Sequence, residues 1–251
     1  MLRALAVNIT TKDMVIRMVT VMAMVTVMAM VVRAMVMAME RNPAIQKNNP
    51  MITIIDYGLG NLVSVKNMLK KLGTESVITD KVTEIEAAEK IILPGVGAFD
   101  NGMLMIKQKG LLEVLNKKAT QEKIPVLGIC LGMQLITQGS EEGIEKGLGW
   151  VDAQTIKFSF ADNKLKVPHM GWDYIDVKRD NKLIGNGEKH RFYFVHSYYV
   201  QCNNPAEVVA SCNYGNEFTC MFNHENIYGA QFHPEKSLKF GMELLSNFSK
   251  L

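Results

Sequence analysis

From Met51 onward, short apolar runs alternate with stretches in which apolar residues recur every three or four positions. Met51-Ile52-Thr53-Ile54-Ile55-Asp56 is a β-branched run that ends at Tyr57-Gly58-Leu59-Gly60-Asn61, after which Leu62, Val65, Met68, Leu69 and Leu72 follow at helical spacing. That order predicts a strand, a glycine turn and a helix, with Asn61 as the helix N-cap. The Gly-x-Gly lacks the third glycine of a dinucleotide-binding turn, so no nucleotide site is expected there. Further strands are predicted at 76–79 and 91–93, and helices at 83–88 and 111–118. Strands alternating with helices predict an α/β fold, an open and mostly parallel sheet with helices on both faces. Sites in such sheets lie beyond the carboxyl ends of the strands. From Trp150 the helical period fades, and strand candidates at 155–160, 174–177, 192–195, 208–211, 218–222 and 227–232 predict a β-rich C-terminal part. The last helix is predicted at 237–248, with Leu238, Met242, Leu245 and Phe248 on one face.

The first fifty residues follow neither pattern. Ten of the eighteen methionines fall there, and Val-Thr-Val-Met-Ala-Met occurs twice in succession, at 19–24 and 25–30. The uncharged run 18–32 lies between Arg17 and Arg33. It is shorter than the roughly 20 residues that span a bilayer, so crossing would require Arg33 to be buried or snorkelled. A signal peptide fits poorly, because no clear small-x-small cleavage site precedes the globular part. A tandem peptide repeat is what a short repetitive DNA tract encodes, and Met51 stands immediately before the first strand. Residues 1–50 are therefore read as a low-complexity leader outside the fold, with the native product beginning at Met51 and no membrane association unless the leader is real.

Composition narrows the remaining classes. A chain of 251 residues suits one domain of about 200 residues plus an appendage. Its net charge of +3 comes from the leader, which holds six Lys/Arg against two acids and leaves 22 against 23 in residues 51–251. No nucleic-acid partner is indicated. Cys130, Cys202, Cys212 and Cys220 form no CxxC and no Cys/His metal spacing. A reducing, cytoplasmic setting without a metal or cofactor fits that usage.

The candidate chemistry centres on Gly128-Ile129-Cys130-Leu131-Gly132, directly after the apolar run Ile124-Pro125-Val126-Leu127 and before Met133-Gln134-Leu135-Ile136. Strand, sharp turn and helix with a nucleophile between two glycines is the nucleophile-elbow pattern. Amides at the start of the following helix favour thiolate over thiol. One βα unit earlier, Pro94-Gly95-Val96-Gly97 offers main-chain amides but no polar side chain, and reads as an oxyanion strand on the same sheet edge. The acidic loop Gly139-Ser140-Glu141-Glu142-Gly143 also opens on that edge; from composition it reads as solvated. Of the five histidines (His169, His190, His196, His224, His233), His233 stands out. It ends the apolar run Tyr228-Gly229-Ala230-Gln231-Phe232, and Pro234-Glu235 follows, placing a carboxylate where it can orient the imidazole toward the thiol.

Taken together, these stretches resemble the class I glutamine amidotransferases. Pro94-Gly95-Val96-Gly97, Pro168-His169-Met170-Gly171-Trp172, Tyr193-Phe194-Val195-His196-Ser197-Tyr198 and Gln231-Phe232-His233-Pro234-Glu235-Lys236-Ser237 are similar, within that class, to the glutaminase subunit of imidazole glycerol phosphate synthase. The likeness runs from about Met51 to the C-terminus and implies an amidotransferase domain at 51–251. It implies that Cys130 attacks the carboxamide of L-glutamine, that His233 protonates the departing ammonia, and that Glu235 orients His233. Gly95, Val96 and Leu131 would supply the oxyanion amides; Gln134, Glu142, His196, Ser197 and Tyr198 would hold the glutamine.

The same likeness implies a partner, a (β/α)8 cyclase subunit that receives the ammonia and makes imidazole glycerol phosphate and the carboxamide ribotide of purine synthesis. Met170, Trp172 and Lys236 would face it. Two departures, Asp173 where the family usually has Asn and Val63 where a basic or polar residue is common, fall near that expected interface. Two alternatives stay open: a paralogue feeding ammonia to another synthetase, such as one making amidino sugars of surface glycans, and an inactive glutaminase-like module that binds a partner. The glycine-rich 94–97 strand further suggests that its amides turn into place only in the complex.

Overall fold

The computed structural model describes Met28 and residues 51–160, 165–185 and 189–251. Apart from Met28, the low-complexity leader lies outside the described residues. Among those described, no helix is long and apolar enough to cross a membrane.

β1 (Ile52–Ile55), α1 (Leu62–Lys71), β2 (Ser76–Thr79), α2 (Val82–Glu86), β3 (Lys90–Gly95), α3 (Phe99–Gln108), α4 (Leu112–Asn116), β4 (Val126–Cys130) and α5 (Leu131–Leu135) alternate strand and helix. The rest is mostly strand: β5 (Ala153–Lys157), β6 (His169–Val177), β7 (Arg191–His196), β8 (Tyr198–Cys202), β9 (Val208–Tyr214), β10 (Asn216–His224) and β11 (Ile227–Ala230), closed by α6 (Leu238–Ser249). All form one sheet with the spatial order β2-β1-β3-β4-β11-β10-β9-β6-β7, from which β8 branches off β10 and carries β5. The first five strands in that order pair in parallel. From β11 onward every pairing is antiparallel.

Period-two alternation along the parallel strands divides their apolar side chains between the two faces. Ile52, Ile54, Leu127 and Ile129 pack with Val65 and Leu69 of α1 and Leu244, Leu245 and Phe248 of α6. Ile91, Leu93 and Val126 pack with Met103 and Ile106 of α3 and Val114 and Leu115 of α4. Helices thus cover both faces, and burying each large side chain contributes roughly 1.5–3 kcal/mol.

Three local features depart from the sequence reading. Asn61 starts α1 without a side-chain cap hydrogen bond; Gly58 and Gly60 at φ +94° and +116° shape the turn instead. α3 was not anticipated, because Gly102 and the Asp100-Asn101 pair interrupt an otherwise helical Phe99, Met103, Ile106 series. Gly102 sits there because a Cβ would lie 3.1 Å from both Leu135 methyl groups, so α3 packs closely on α5. β8 was also missed: only a one-residue gap, Ser197, separates it from β7.

Candidate active site

β4 ends at Cys130, whose φ of +53° and ψ of −110° are conformations an L-residue rarely holds. The glycines on either side make the turn possible. A Cβ on Gly132 would fall 1.7 Å from the Leu93 carbonyl oxygen of β3, and one on Gly128 would fall 2.6 Å from Ile136 Cδ1 and 2.8 Å from the Gly132 carbonyl. The chain therefore turns sharply against its neighbouring strand, and the thiol is presented at the carboxyl edge of the sheet.

β11 lies beside β4 in parallel, with Gly229 opposite Gly128 and Ala230 opposite Ile129. Residues 231–233 consequently leave the sheet next to Cys130. The main chain of His233 is pinned by three hydrogen bonds: its N–H donates to the Tyr193 carbonyl at 2.9 Å, and its carbonyl accepts from Ser237 Oγ at 2.6 Å and from the Lys236 N–H at 3.1 Å. Pro234 then opens a short 3-10 turn, Pro234–Lys236, which returns Glu235 to the ring. His233 Nδ1 and Glu235 Oε1 are 2.9 Å apart, and both side chains are only 2 % exposed. Nδ1–H donates to the carboxylate, so Nε2 is the free end; it is buried and makes no hydrogen bond. Burial opposes a charge on this ring, but Cys130 and Glu235 together outweigh it and lift the imidazole to about 9. Cys130 Sγ is held from two further sides, by the Val195 carbonyl at 4.0 Å and by the amide of Gln231, whose Nε2 donates at 3.8 Å.

In front of the thiol lies a cavity of about 300 Å³. Val96, Gly97, Leu131, Gln134, Glu142, Pro168, Val195, His196, Ser197 and Tyr198 line it together with Cys130. The family model for class-I glutamine amidotransferases matches residues 53–251. This chain belongs to that family. Among its relatives, the imidazole glycerol phosphate synthase subunit HisH 2 of Methanococcus maripaludis is 55% identical over 201 residues, covering 80% of this chain and 99% of that protein. The subunit of the same name from Pseudomonas aeruginosa is 48% identical over 202 residues, covering 80% of this chain and all of that protein. Among solved structures, a glutamine amidotransferase superposes with a TM-score of 0.63 at 18% identity, over 79% of this chain and 97% of that one. The open α/β sheet is the class I amidotransferase fold.

Within this amidotransferase the residues singled out from sequence gather as follows. Cys130, His233 and Glu235 converge. Val96 and Leu131 border the cavity, while Gly95 sits behind them, where a Cβ would fall 2.0 Å from the Tyr57 hydroxyl. Gln134, Glu142, Ser197 and Tyr198 line the cavity as well. Glu142 is not merely solvated: its Oε2 accepts the Phe99 N–H at 2.8 Å and ties the acidic loop to the start of α3. Its neighbour Glu141 accepts the Lys157 N–H at 2.7 Å. His196 is buried with both ring nitrogens engaged inside the protein, Nδ1 by the Tyr198 carbonyl at 2.8 Å and Nε2 by His169 at 3.0 Å. Burial pushes it down to about 3, so it is neutral. What it offers a ligand is its place in the wall.

Met170 is 62 % exposed, and Trp172 and Lys236 reach the surface nearby. Trp172 stands 6.1 Å edge-on to Tyr193, with the Arg191 guanidinium 5.8 Å from the Trp172 ring and Lys236 Nζ 5.3 Å from the Tyr193 ring. Sequence reasoning passed over Gln231, Tyr57 and Tyr193. A polar residue directly after β11, within the apolar run 228–232, was the available signal for Gln231. Burial pushes the other three thiols up, Cys202 and Cys212 to about 12 and Cys220 well above its usual range, so none is a thiolate near neutral pH. Among the described residues no cluster of His, Cys, Asp and Glu is arranged to hold a metal ion.

A pH dependence follows. Because His233 in the fold is raised above the ordinary histidine value near 6.5, its stabilisation is complete below that pH and is lost as pH climbs from about 6.5 to about 9. His196 has the opposite sign, its contribution being lost as pH falls below about 6.5. Melting temperature is expected to be highest near pH 6.5, and His233→Gln should flatten only the alkaline limb. Calorimetric scans from pH 5 to 9 check both.

Proposed function

We propose that this chain hydrolyses glutamine to glutamate and ammonia, as the glutaminase subunit of an imidazole glycerol phosphate synthase in histidine biosynthesis. The observation that carries the reading is the strained Cys130 elbow, which lines the cavity, set beside the His233–Glu235 pair. The 55% identical relative, matched over 99% of its own length, supports the pathway.

In this reading Cys130 passes its proton to the unpartnered His233 Nε2 as it becomes the nucleophile. The thiolate attacks the side-chain carboxamide carbon, and the oxyanion that forms is met by the amides of Leu131 and the 95–96 strand; elsewhere one such donor is worth about 3–4 kcal/mol. His233 Nε2–H protonates the departing nitrogen, and ammonia leaves a γ-glutamyl thioester. The now neutral imidazole takes a proton from water, hydroxide adds to the thioester, and collapse expels the thiolate and releases glutamate. Glu142 suits the substrate ammonium, and the Ser197 to Tyr198 segment suits its carboxylate. Ammonia passes to a (β/α)8 cyclase subunit docked on the face carrying Met170, Trp172 and Lys236, in a cytoplasmic enzyme whose domain is 51–251 and whose native product begins at Met51. Intact mass of protein from its own cells checks that start; retention of residues 1–50 would refute it.

Glutamine hydrolysis should be measured on the full chain, alone and with the cyclase of the same organism plus its nucleotide substrate, with Cys130→Ala as control. Strong stimulation by the loaded cyclase, lost in the control, is the expected result. Hydrolysis indifferent to that cyclase would point to another acceptor, and no hydrolysis under any condition would overturn the enzymatic reading.

A further inference from the structure

Behind the Tyr198 side of the cavity, three ionisable side chains form a hydrogen-bonded line. Asp173 Oδ2 is 2.7 Å from His169 Nε2, His169 Nδ1 is 3.0 Å from His196 Nε2, and His196 Nδ1 is 2.8 Å from the Tyr198 carbonyl. Both imidazoles are buried, whereas the Asp173 side chain is 41 % exposed. The line continues into the site. The Tyr198 carbonyl also accepts Gln134 Nε2 at 3.0 Å, that nitrogen donates to Gln231 Oε1 at 3.2 Å, and Gln231 Nε2 reaches the Cys130 sulfur.

Counting hydrogens exposes a deficit. The carbonyl can only accept, so His196 carries its hydrogen on Nδ1 and presents a lone pair at Nε2. His169 must then place its single hydrogen on Nδ1, which leaves a lone pair at Nε2 facing Asp173 Oδ2. Three contacts need three hydrogens, and two neutral rings provide two. Only an added proton, on His169 or on Asp173, completes the line. Phe158, Phe194 and Phe218 surround the rings and give no help. The ionisable groups facing the line are His233 beyond His196, Tyr214 stacked 4.1 Å from His169, and Cys212 near Asp173, while Arg191 donates to the Trp172 carbonyl next door. Burial outweighs the attraction of Asp173 and holds His169 below the usual histidine range, so the proton is missing at neutral and alkaline pH.

We propose that Asp173 is a positioning residue for the glutamine cavity, acting through His169 and His196, and that it makes the Tyr198 wall depend on one bound proton. The proposal rests on the glutamine reading of the cavity. An asparagine at 173 supplies the missing hydrogen from its own amide; an alanine removes the clash and leaves two contacts with two hydrogens.

The test compares the full chain with Asp173→Asn and Asp173→Ala at pH 6 and pH 8.5. One completed hydrogen bond, net about 1 kcal/mol, corresponds to a KM for glutamine about fivefold lower in the Asn protein than in wild type at pH 8.5. Its melting temperature there should be about 2–4 °C higher. Both differences should shrink as pH falls and wild type gains its proton, and the Ala protein should fall between the other two at pH 8.5. Differences that stay constant with pH, or an Ala protein worse than wild type at pH 8.5, would overturn the proposal. A pH-linked melting difference in chains that never hydrolyse glutamine would instead overturn the glutamine reading, and the positioning role with it.

Discussion

Replacing Cys130 by glycine should abolish glutamine hydrolysis and yet yield a protein more stable than Cys130→Ala. Both changes remove the sulfur, so activity should fall at least about 10⁴-fold in each, as expected when a nucleophile is lost and only binding and oxyanion amides remain. They differ in the backbone. At φ +53° and ψ −110° a residue with a Cβ stores about 1–3 kcal/mol of strain, which alanine keeps and glycine releases. Glycine surrenders about 0.5–1 kcal/mol of this through the extra freedom of its unfolded chain. The net difference of about 1 kcal/mol should appear as a melting temperature about 2–4 °C higher for the glycine protein. Ammonia release and calorimetry on the same samples decide it; an alanine protein as stable as the glycine one would mean that the elbow is unstrained.

Gly132→Ala should cost the fold itself. The added Cβ would sit 1.7 Å from the Leu93 carbonyl oxygen and 2.8 Å from its carbon, both main-chain atoms of β3. No side chain can swing away, so β3 and β4 must part or the elbow must unwind. Overpacking against side chains costs about 1–3 kcal/mol, and a clash with backbone in a central strand pair should exceed about 3 kcal/mol. Against a total stability of about 5–15 kcal/mol, soluble yield and urea midpoint should both drop sharply. Gly97→Ala is the comparison: its φ is +112°, but nothing lies within 4 Å of the added carbon, so only backbone strain is incurred and the loss should be smaller. Equal midpoints for the two variants would refute the packing argument.

That contrast marks what the sequence can disclose. Glycines flanking a cysteine at the end of an apolar run announce the elbow because a local steric rule demands them. The His233-Pro234-Glu235 turn is equally local, so the Cys130, His233 and Glu235 set was legible before any coordinates. Relations between distant segments were not. Glu142 reads as solvated until α3, itself hidden by Asp100, Asn101 and Gly102, brings the Phe99 N–H to it. His169 reads as one histidine among five until β6 pairs with β7 and sets it opposite His196. Asn61 has the right chemistry for a cap, yet the turn through Gly58 and Gly60 leaves its side chain without that bond.

The placement of β11 has a consequence for how the enzyme comes into being. It is among the last strands to be synthesised, yet it occupies the interior of the sheet between β4 and β10. A ribosome therefore releases Cys130 long before His233 exists, and the parallel half of the sheet must wait with an open edge on β4. Insertion of β11 closes that edge and delivers His233 in the same event. Under the proposed mechanism ammonia production is thus coupled to synthesis of β11: a product terminated before it carries Cys130 without His233.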